Sequence, residues 1–576
     1  MSTYILATPE RAAAAETALL PLLARYGYTV RERRELGRRR LILVDNPEHS
    51  VITEASRDNG DWIVAVGPFL YAGQWGADAL RRYLDVFTPD GDPWPATQGH
   101  YTLLIRKGGR LHVLCDGLGA HKIYHDAEDT VLSNSFLAVL SLVETRRLDV
   151  DGAYIYAWTG TCQACRTFVE QVRFRPANTV LTWSDRLREH RHPSPILRGL
   201  EPPLADFEAC ASANLATLQG VMDAGAAYAG GCVRLSFSGG FDSRLLLGTL
   251  RRAGVAPELY VYGRDGETDV RIARDVAGAA GLTLHHVDKS RHPEPAPAAM
   301  PEVLECAMVR FDGWKNGGLF ETGADTVDRP TRHVGGFVPM NGGLGEIYRN
   351  FFNLTGRSVA LDDIVSSFYY SFDPHWATDR FDVRRYHELL VDQLAAQLDT
   401  EERCVDMTRA QLLYPLFRGR FWTAREAEIN QRFGPMLFPY LEHACIAGAA
   451  RVPMRGRHLG RVQAAMIRRA DPELAALDSA YGFAFAERPG LRYRADALRS
   501  LARPMWLRRR SYRLRRHHAQ RVPEILSPAV LGHVMDTAFP HTAPLFKHRR
   551  VGDPGCLNRI LTMEWLAQRF GFVGIE

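Results

Sequence analysis

The apolar residues of this chain fall into two textures that change near residue 230. Up to about residue 195 they come in short runs: Leu41–Val44, Trp62–Val66, Tyr101–Ile105, Leu111–Cys115 and Val180–Trp183. Each run is bounded by glycine, aspartate, asparagine or charge. Short apolar runs between turn formers predict strands. A polar, proline-bearing stretch, Arg186–Asp206, reads as connecting chain, and the Ala- and Leu-rich segment Phe207–Ala229 predicts a helix. From Gly231 the pattern alternates. A strand over Val233–Phe237 is followed by a helix from Ser243 to Gly254 and a strand over Glu258–Gly263. A helix over Thr268–Ala280 and a strand over Thr283–Val287 follow. That alternation predicts a parallel sheet. Beyond about residue 360 the pattern is mostly helical. The expected organisation is a first unit at 1–195, a linker at 196–206 and a second unit at 207–576, an α+β unit followed by an α/β one.

Composition narrows the picture in a few places. With 46% apolar and 24% charged residues the chain is of ordinary globular make-up, not disordered. No run approaches 18 apolar residues, so no membrane span is expected. The start, MSTYILATPER, lacks a basic region followed by an apolar stretch, so no secretory signal is read. Nine scattered cysteines suit a reducing, cytoplasmic setting. Lys107, Lys122, Lys289, Lys315 and Lys547 are the only lysines among 71 basic residues. Arginine does not serve as a tunable base, so lysine chemistry is confined to those five.

The strongest chemical signal is Val233–Gly254, VRLSFSGGFDSRLLLGTLRRAG. Phe237 leaves the strand into Ser238-Gly239-Gly240-Phe241-Asp242-Ser243. Two glycines let the backbone expose successive N–H groups, two serines add hydroxyl donors, and a helix start adds partial positive charge. Pyrophosphate is the natural guest, and Asp242 then makes sense as a Mg²⁺ ligand. The lysine of the Gx₄GK[ST] loop is missing. The loop resembles that of ATP pyrophosphatases, in which the end of the next strand borders the adenine; Val261, Tyr262 and Gly263 are the corresponding residues.

Further segments widen the resemblance. Asp116–Tyr124 (DGLGAHKIY), Leu132–Leu137 (LSNSFL), Pro439–His443 (PYLEH) with Pro453, and Ile560–Phe570 (ILTMEWLAQRF) are similar, in order, to segments of the asparagine synthetase family, with β-lactam synthetases and lasso-peptide cyclases among its members. The resemblance implies an N-terminal Ntn-hydrolase-like αββα sandwich of glutamine-amidotransferase type. It implies a C-terminal adenine nucleotide α-hydrolase-like parallel sheet carrying the PP-loop, with a helical C-terminal part. The implied activity is ATP-dependent adenylation of a carboxylate, release of pyrophosphate, and amide formation with an amine. ATP and Mg²⁺ are the implied cofactors.

Three departures shape the expectation. The family's glutaminase cysteine is replaced by Ser2, and its asparagine–glycine stretch by Val66–Ala72 (VGPFLYA), so a degenerate first unit and direct use of an amine are expected. The family's second ATP loop is here Asn341-Gly342-Gly343-Leu344-Gly345-Glu346-Ile347-Tyr348-Arg349. Glu346 keeps the last acid, as catalytic and metal-ligating residue beside Asp242. Gly342 and Gly345 replace the other two acids, Gly343 is expected to flank the nucleotide, and Tyr348, a further catalytic candidate, and Arg349 are expected to reshape the site. The family's lysine, which stabilises the transition state, falls on Ala480 in Leu477–Phe483. Losing such a contact costs about 3–4 kcal/mol, and Lys315 is the stand-in expected here.

Among weaker signals, Cys162-Gln-Ala-Cys165 reads as incidental thiols, since zinc would want a second pair. The basic run Arg503–Arg521 reads as a solvated helix face. The expected function is thus a glutamine-independent, AMP-forming amide ligase acting on small-molecule or peptide carboxylates and amines. Two alternatives stay open: a catalytically reduced nucleotide-binding scaffold, motivated by Gly342, Gly345 and Ala480, and an RNA-adenylating enzyme, motivated by the basic run. Nucleic acid is not the expected partner, and pairing into a homodimer stays open.

Overall fold

The computed structural model describes residues 2–184, 186–198, 200–370, 372–508 and 521–575. Most of the basic run, 509–520, lies outside the described residues. Near-continuous apolar strands in the first part have a direct physical cause: both faces are covered. In the strand Trp62–Val66, Val64 and Val66 face Tyr4, Leu6, Leu41 and Leu43 of a second sheet. Ile63 and Ala65 face Leu80, Tyr83 and Leu84 of the helix Gly76–Val86. In the opposite sheet, Tyr4 and Leu6 point inward while Ile5 and Ala7 join helical residues such as Leu19, Leu23 and Phe136. Period-two alternation therefore stacks helix, sheet, sheet and helix. Each sheet has six strands, and every pairing within them is antiparallel.

One expectation is corrected here. Part of the stretch read as connecting chain is a strand: Leu187–Arg191 pairs antiparallel with Thr179–Trp183. Its sequence, LREHR, carries no apolar alternation because it is an edge strand with mostly solvated side chains.

The second part begins with the helix Phe207–Tyr228, capped by the Asp206 side chain on the Glu208 N–H at 2.9 Å. A four-stranded parallel sheet follows, in the order Leu284–Val287, Glu258–Tyr262, Val233–Ser236, Val338–Met340. Helices Phe241–Arg252 and Thr268–Ala280 form its first two crossovers. The latter stops at Gly281, whose φ of 64° is the left-handed cap that glycine supplies. The remaining chain is mostly helical, ending in Pro554–Arg569. Among the described residues no helix is long and apolar enough to cross a membrane.

The two parts meet through buried charge. The Asp312 carboxylate is fully buried and accepts from the Phe136 N–H at 2.9 Å and the Leu137 N–H at 3.2 Å, at the start of a first-part helix. Arg432 reaches it at 2.7 Å and Arg425 at 3.5 Å. Lys122 pairs with Glu428 at 3.5 Å. Glu442 accepts from the Gly99 N–H at 3.0 Å. The segments that resembled one family, 116–124, 132–137 and 439–443, thus converge on this seam.

Burial pushes the Glu442 carboxyl up to about 8; the Gly99 N–H pulls it down and Asp116 adds to the rise. An unfolded glutamate ionises near 4.3. Between those values the folded chain keeps a proton that the unfolded chain has released, so stability falls as pH rises through that window and levels above it. Glu442→Gln keeps an acceptor for Gly99 and removes the titration. It is expected to match the parent melting temperature near pH 5 and exceed it at pH 8.5. Parallel melting profiles across that range would refute the assignment.

Candidate functional site

Strand order locates the crevice. From Val233–Ser236 the chain winds outward to Glu258–Tyr262 and Leu284–Val287, then returns to place Val338–Met340 on the other side of its starting strand. That reversal leaves a gap beyond the carboxyl ends of Val233–Ser236 and Val338–Met340, where open α/β sheets bind ligands. Two loops fill its rim, 237–243 and 341–349.

In the first loop, Gly239 sits at φ 72°, and a Cβ there would lie 2.3 Å from Ile272 Cγ2. Only glycine fits. Gly240 is the N-cap of the helix Phe241–Arg252 and brings no side chain to cap it. The first N–H groups of that helix are therefore open to an anion. The Ser243 hydroxyl accepts from the Ser238 N–H at 3.3 Å, tightening the turn. The second loop lies against it: a Cβ on Gly342 would be 3.3 Å from the Ser243 nitrogen. The Gly343 N–H is bound by the Asn341 side chain at 2.7 Å. Leu344 is held at φ 79°, a conformation that costs a non-glycine residue about 1–2 kcal/mol. Arg457, buried beneath, fixes this loop by donating to the Ile347 carbonyl.

A third segment closes over both. The Ala480 N–H points at the Gly239 carbonyl, 3.4 Å away. The Tyr481 ring packs on Phe241 with centroids 5.0 Å apart. Fully buried Arg244, on the loop helix, donates to the carbonyls of Leu474 at 2.7 Å, Leu477 at 3.2 Å and Asp478 at 2.7 Å, which pins the segment. The Tyr440 hydroxyl donates to the Asp242 carbonyl at 2.9 Å.

The carboxylates are arranged differently from the expectation. Asp242 accepts from Arg349 Nη2 at 2.9 and 3.2 Å and from Gln463 Nε2 at 2.7 Å. Glu346 accepts from the Tyr414 hydroxyl at 2.7 Å and lies 3.3 Å from Arg349 Nη2. Arg349 also donates to the Tyr481 hydroxyl at 3.0 Å. Burial raises the Asp242 carboxyl to about 6; Arg349 works against that rise and Glu346 adds to it. Burial opposes the Arg349 charge, but Asp242, Tyr481 and Glu346 outweigh it and keep the guanidinium firmly protonated.

These residues do not fit a protein-held Mg²⁺, which wants near-octahedral oxygen at about 2.0–2.1 Å. All four carboxylate oxygens face a donor, and a guanidinium occupies the space between the acids. A side chain at 345 could not add a ligand, since a Cβ there would lie 2.4 Å from Asp242 Oδ1. Among the described residues no group of three or more His, Cys, Asp or Glu is placed to hold a metal ion.

Other expected residues go elsewhere. Tyr348 is fully buried, packed edge-on against Tyr440 at 6.0 Å, which removes it from the catalytic reading. Lys315 is spent in a half-buried ion cluster: its ammonium binds Glu321 and, at 2.9 Å, Asp325. Lys289 joins Asp325 and lies 4.1 Å from the Tyr262 ring centre, while the Tyr262 hydroxyl donates to Asp328 at 2.6 Å. Tyr262 is thus turned into this cluster and not toward a base. Gly263, at φ 144°, keeps its place at the strand end, where a Cβ would lie 2.8 Å from Glu267 Oε2. In the first part the Ser2 hydroxyl donates to Asp45 and accepts from the Val51 N–H at 3.2 Å. Cys162 is buried and Cys165 partly so. Gln463 and Tyr414 carry no spacing signal that marks them in advance, whereas Tyr440 and Tyr481 lie inside the singled-out segments 439–443 and 477–483, although the resemblance assigns neither a role. Compared with protein-family models the chain matches none, and compared with curated proteins it matches none.

Proposed function

We propose that the chain is an ATP-dependent, AMP- and pyrophosphate-forming amide ligase of the asparagine synthetase type, using an amine directly and not glutamine. The observation that carries this reading is the meeting of three segments, 237–243, 341–349 and 477–483, at the switch point of a parallel sheet. In this reading the loop amides with Ser238 and Ser243 hold the β and γ phosphates. A substrate carboxylate oxygen attacks the α phosphorus; an O–P bond forms, the α–β bridging bond breaks, and pyrophosphate leaves. The amine then attacks the acyl carbon and expels AMP, and Glu346, the more open of the two acids, takes its proton. Burial of Ser2 on Asp45 supports a first part that is structural and not a glutaminase.

The test is pyrophosphate and AMP release from ATP across a panel of carboxylates and amines, with ammonia and glutamine compared as nitrogen sources. Acid- and amine-dependent release that survives Ser2→Ala is the expected result; glutamine hydrolysis lost in that variant would overturn the reading of the first part. A second reading, a nucleotide-binding scaffold, is favoured specifically by the Arg349 clamp on Asp242 and Glu346. ATP binding without turnover across the panel would establish it. The RNA-adenylating alternative draws on a basic run that lies mostly outside the described residues, and nothing at the crevice adds to it.

A further inference from the structure

We infer that Arg349 is a positioning residue: it neutralises Asp242 from within the fold, so that the phosphate loop accepts a diphosphate anion without a metal ion held by the protein. The inference rests on reading 237–243 as a phosphate loop. It answers a problem of charge. Asp242 is the second residue of the helix Phe241–Arg252, within the turn whose N–H groups would face the anion. An unpaired carboxylate there repels a diphosphate; Gly342 and Gly345 stand in the loop opposite where two further acids were expected, and the remaining acid, Glu346, is engaged by Tyr414 and Arg349.

The geometry supplies the alternative. Arg349 meets both oxygens of Asp242 from one side, at 2.9 and 3.2 Å, and Gln463 holds Oδ1 from another at 2.7 Å. The guanidinium is itself aimed: Nη1 donates to the Tyr481 hydroxyl, and the cation lies 5.3 Å from the Phe241 ring centre. Gly345 is part of the same device. Asp242 occupies the volume that a side chain at 345 would need, so the glycine at 345 and the Arg349-paired Asp242 go together. A paired, well-desolvated arginine delivers its charge without the reorganisation that a hydrated cation requires.

The test is calorimetric titration of the full chain with inorganic pyrophosphate, in EDTA and in excess Mg²⁺. Wild type is expected to bind in EDTA with an affinity within threefold of that in Mg²⁺. Arg349→Ala is expected to weaken EDTA binding at least tenfold by freeing the Asp242 charge. Asp242→Asn is expected to bind at least threefold more tightly than wild type, and the double variant R349A/D242N to recover most of what R349A loses. Binding that requires Mg²⁺ and is abolished by D242N would overturn the inference in favour of a protein-held metal. A double variant as weak as R349A would also overturn it, since the arginine would then not act through Asp242. Either result leaves the phosphate loop standing; pyrophosphate binding absent with and without Mg²⁺ would sink the loop reading as well. D242N, which removes a half-buried charge at constant size, keeps the test readable if R349A folds poorly.

Discussion

Asp312→Ala is expected to lower the stability of the chain by about 3–5 kcal/mol, the range for breaking a buried ion pair from one side. The reason lies in what the substitution leaves behind. Asp312 is fully buried and serves five donor groups: the N–H groups of Phe136 and Leu137, the Ser135 hydroxyl, Arg432 and Arg425. It sits at the N-terminus of the helix Phe136–Leu142, where a negative charge offsets the helix dipole, although it belongs to the other part of the chain. Alanine leaves two arginines, each nearly or wholly buried, short of a counter-charge and several donors short of an acceptor. Asp312 also lies at φ 54°, which aspartate and asparagine tolerate better than alanine. Asp312→Asn should therefore cost less, since the amide oxygen still accepts from the helix start. Denaturant unfolding of the three proteins checks both the loss and its order. An Asp312→Ala midpoint unmoved from wild type would show that the two parts are not joined through this carboxylate.

The sequence carried the skeleton of the crevice but not its charge pattern. The expected strand at Val233–Phe237 and helix at Thr268–Ala280 occur as Val233–Ser236 and Thr268–Ala280, because apolar periodicity and glycine stops are local properties. The loop helix begins at Phe241, two residues before its expected start, since Gly240 already ends the turn. Edge strands were illegible for the opposite reason. Thr29–Leu36 and Leu187–Arg191 are charged sequences whose order comes from backbone pairing with a neighbour, and nothing in their own side chains demands it. The pairing of Asp242 with Arg349 joins residues 107 apart, and no spacing rule reaches that far. Lys315 reads as available because an ion-paired lysine and a solvated one look alike in sequence until Glu321 and Asp325 are found beside it.

The two loop glycines give the largest expected effect on ligand binding, and they separate fold from function. At Gly239 an alanine Cβ would sit 2.3 Å from Ile272 Cγ2, on a backbone at φ 72°. Left-handed strain of about 1–2 kcal/mol and overpacking of about 1–3 kcal/mol act together. Gly239→Ala should therefore lose stability and nucleotide binding together. Gly240 is the informative partner. Its φ of −81° and ψ of −175° are ordinary extended values, and the nearest atoms to an added Cβ, on Ser238 and Tyr481, are 3.7 Å away. The unliganded fold has room for that methyl group, so Gly240→Ala should melt like wild type. A phosphate drawn against the N–H groups of 238–243 has no such room, because close approach to backbone is what the glycine provides. ATP and pyrophosphate affinity are expected to fall at least tenfold in Gly240→Ala at unchanged melting temperature. Full affinity in that variant would mean that no anion rests on these amides, and the ligase reading would lose its anchor.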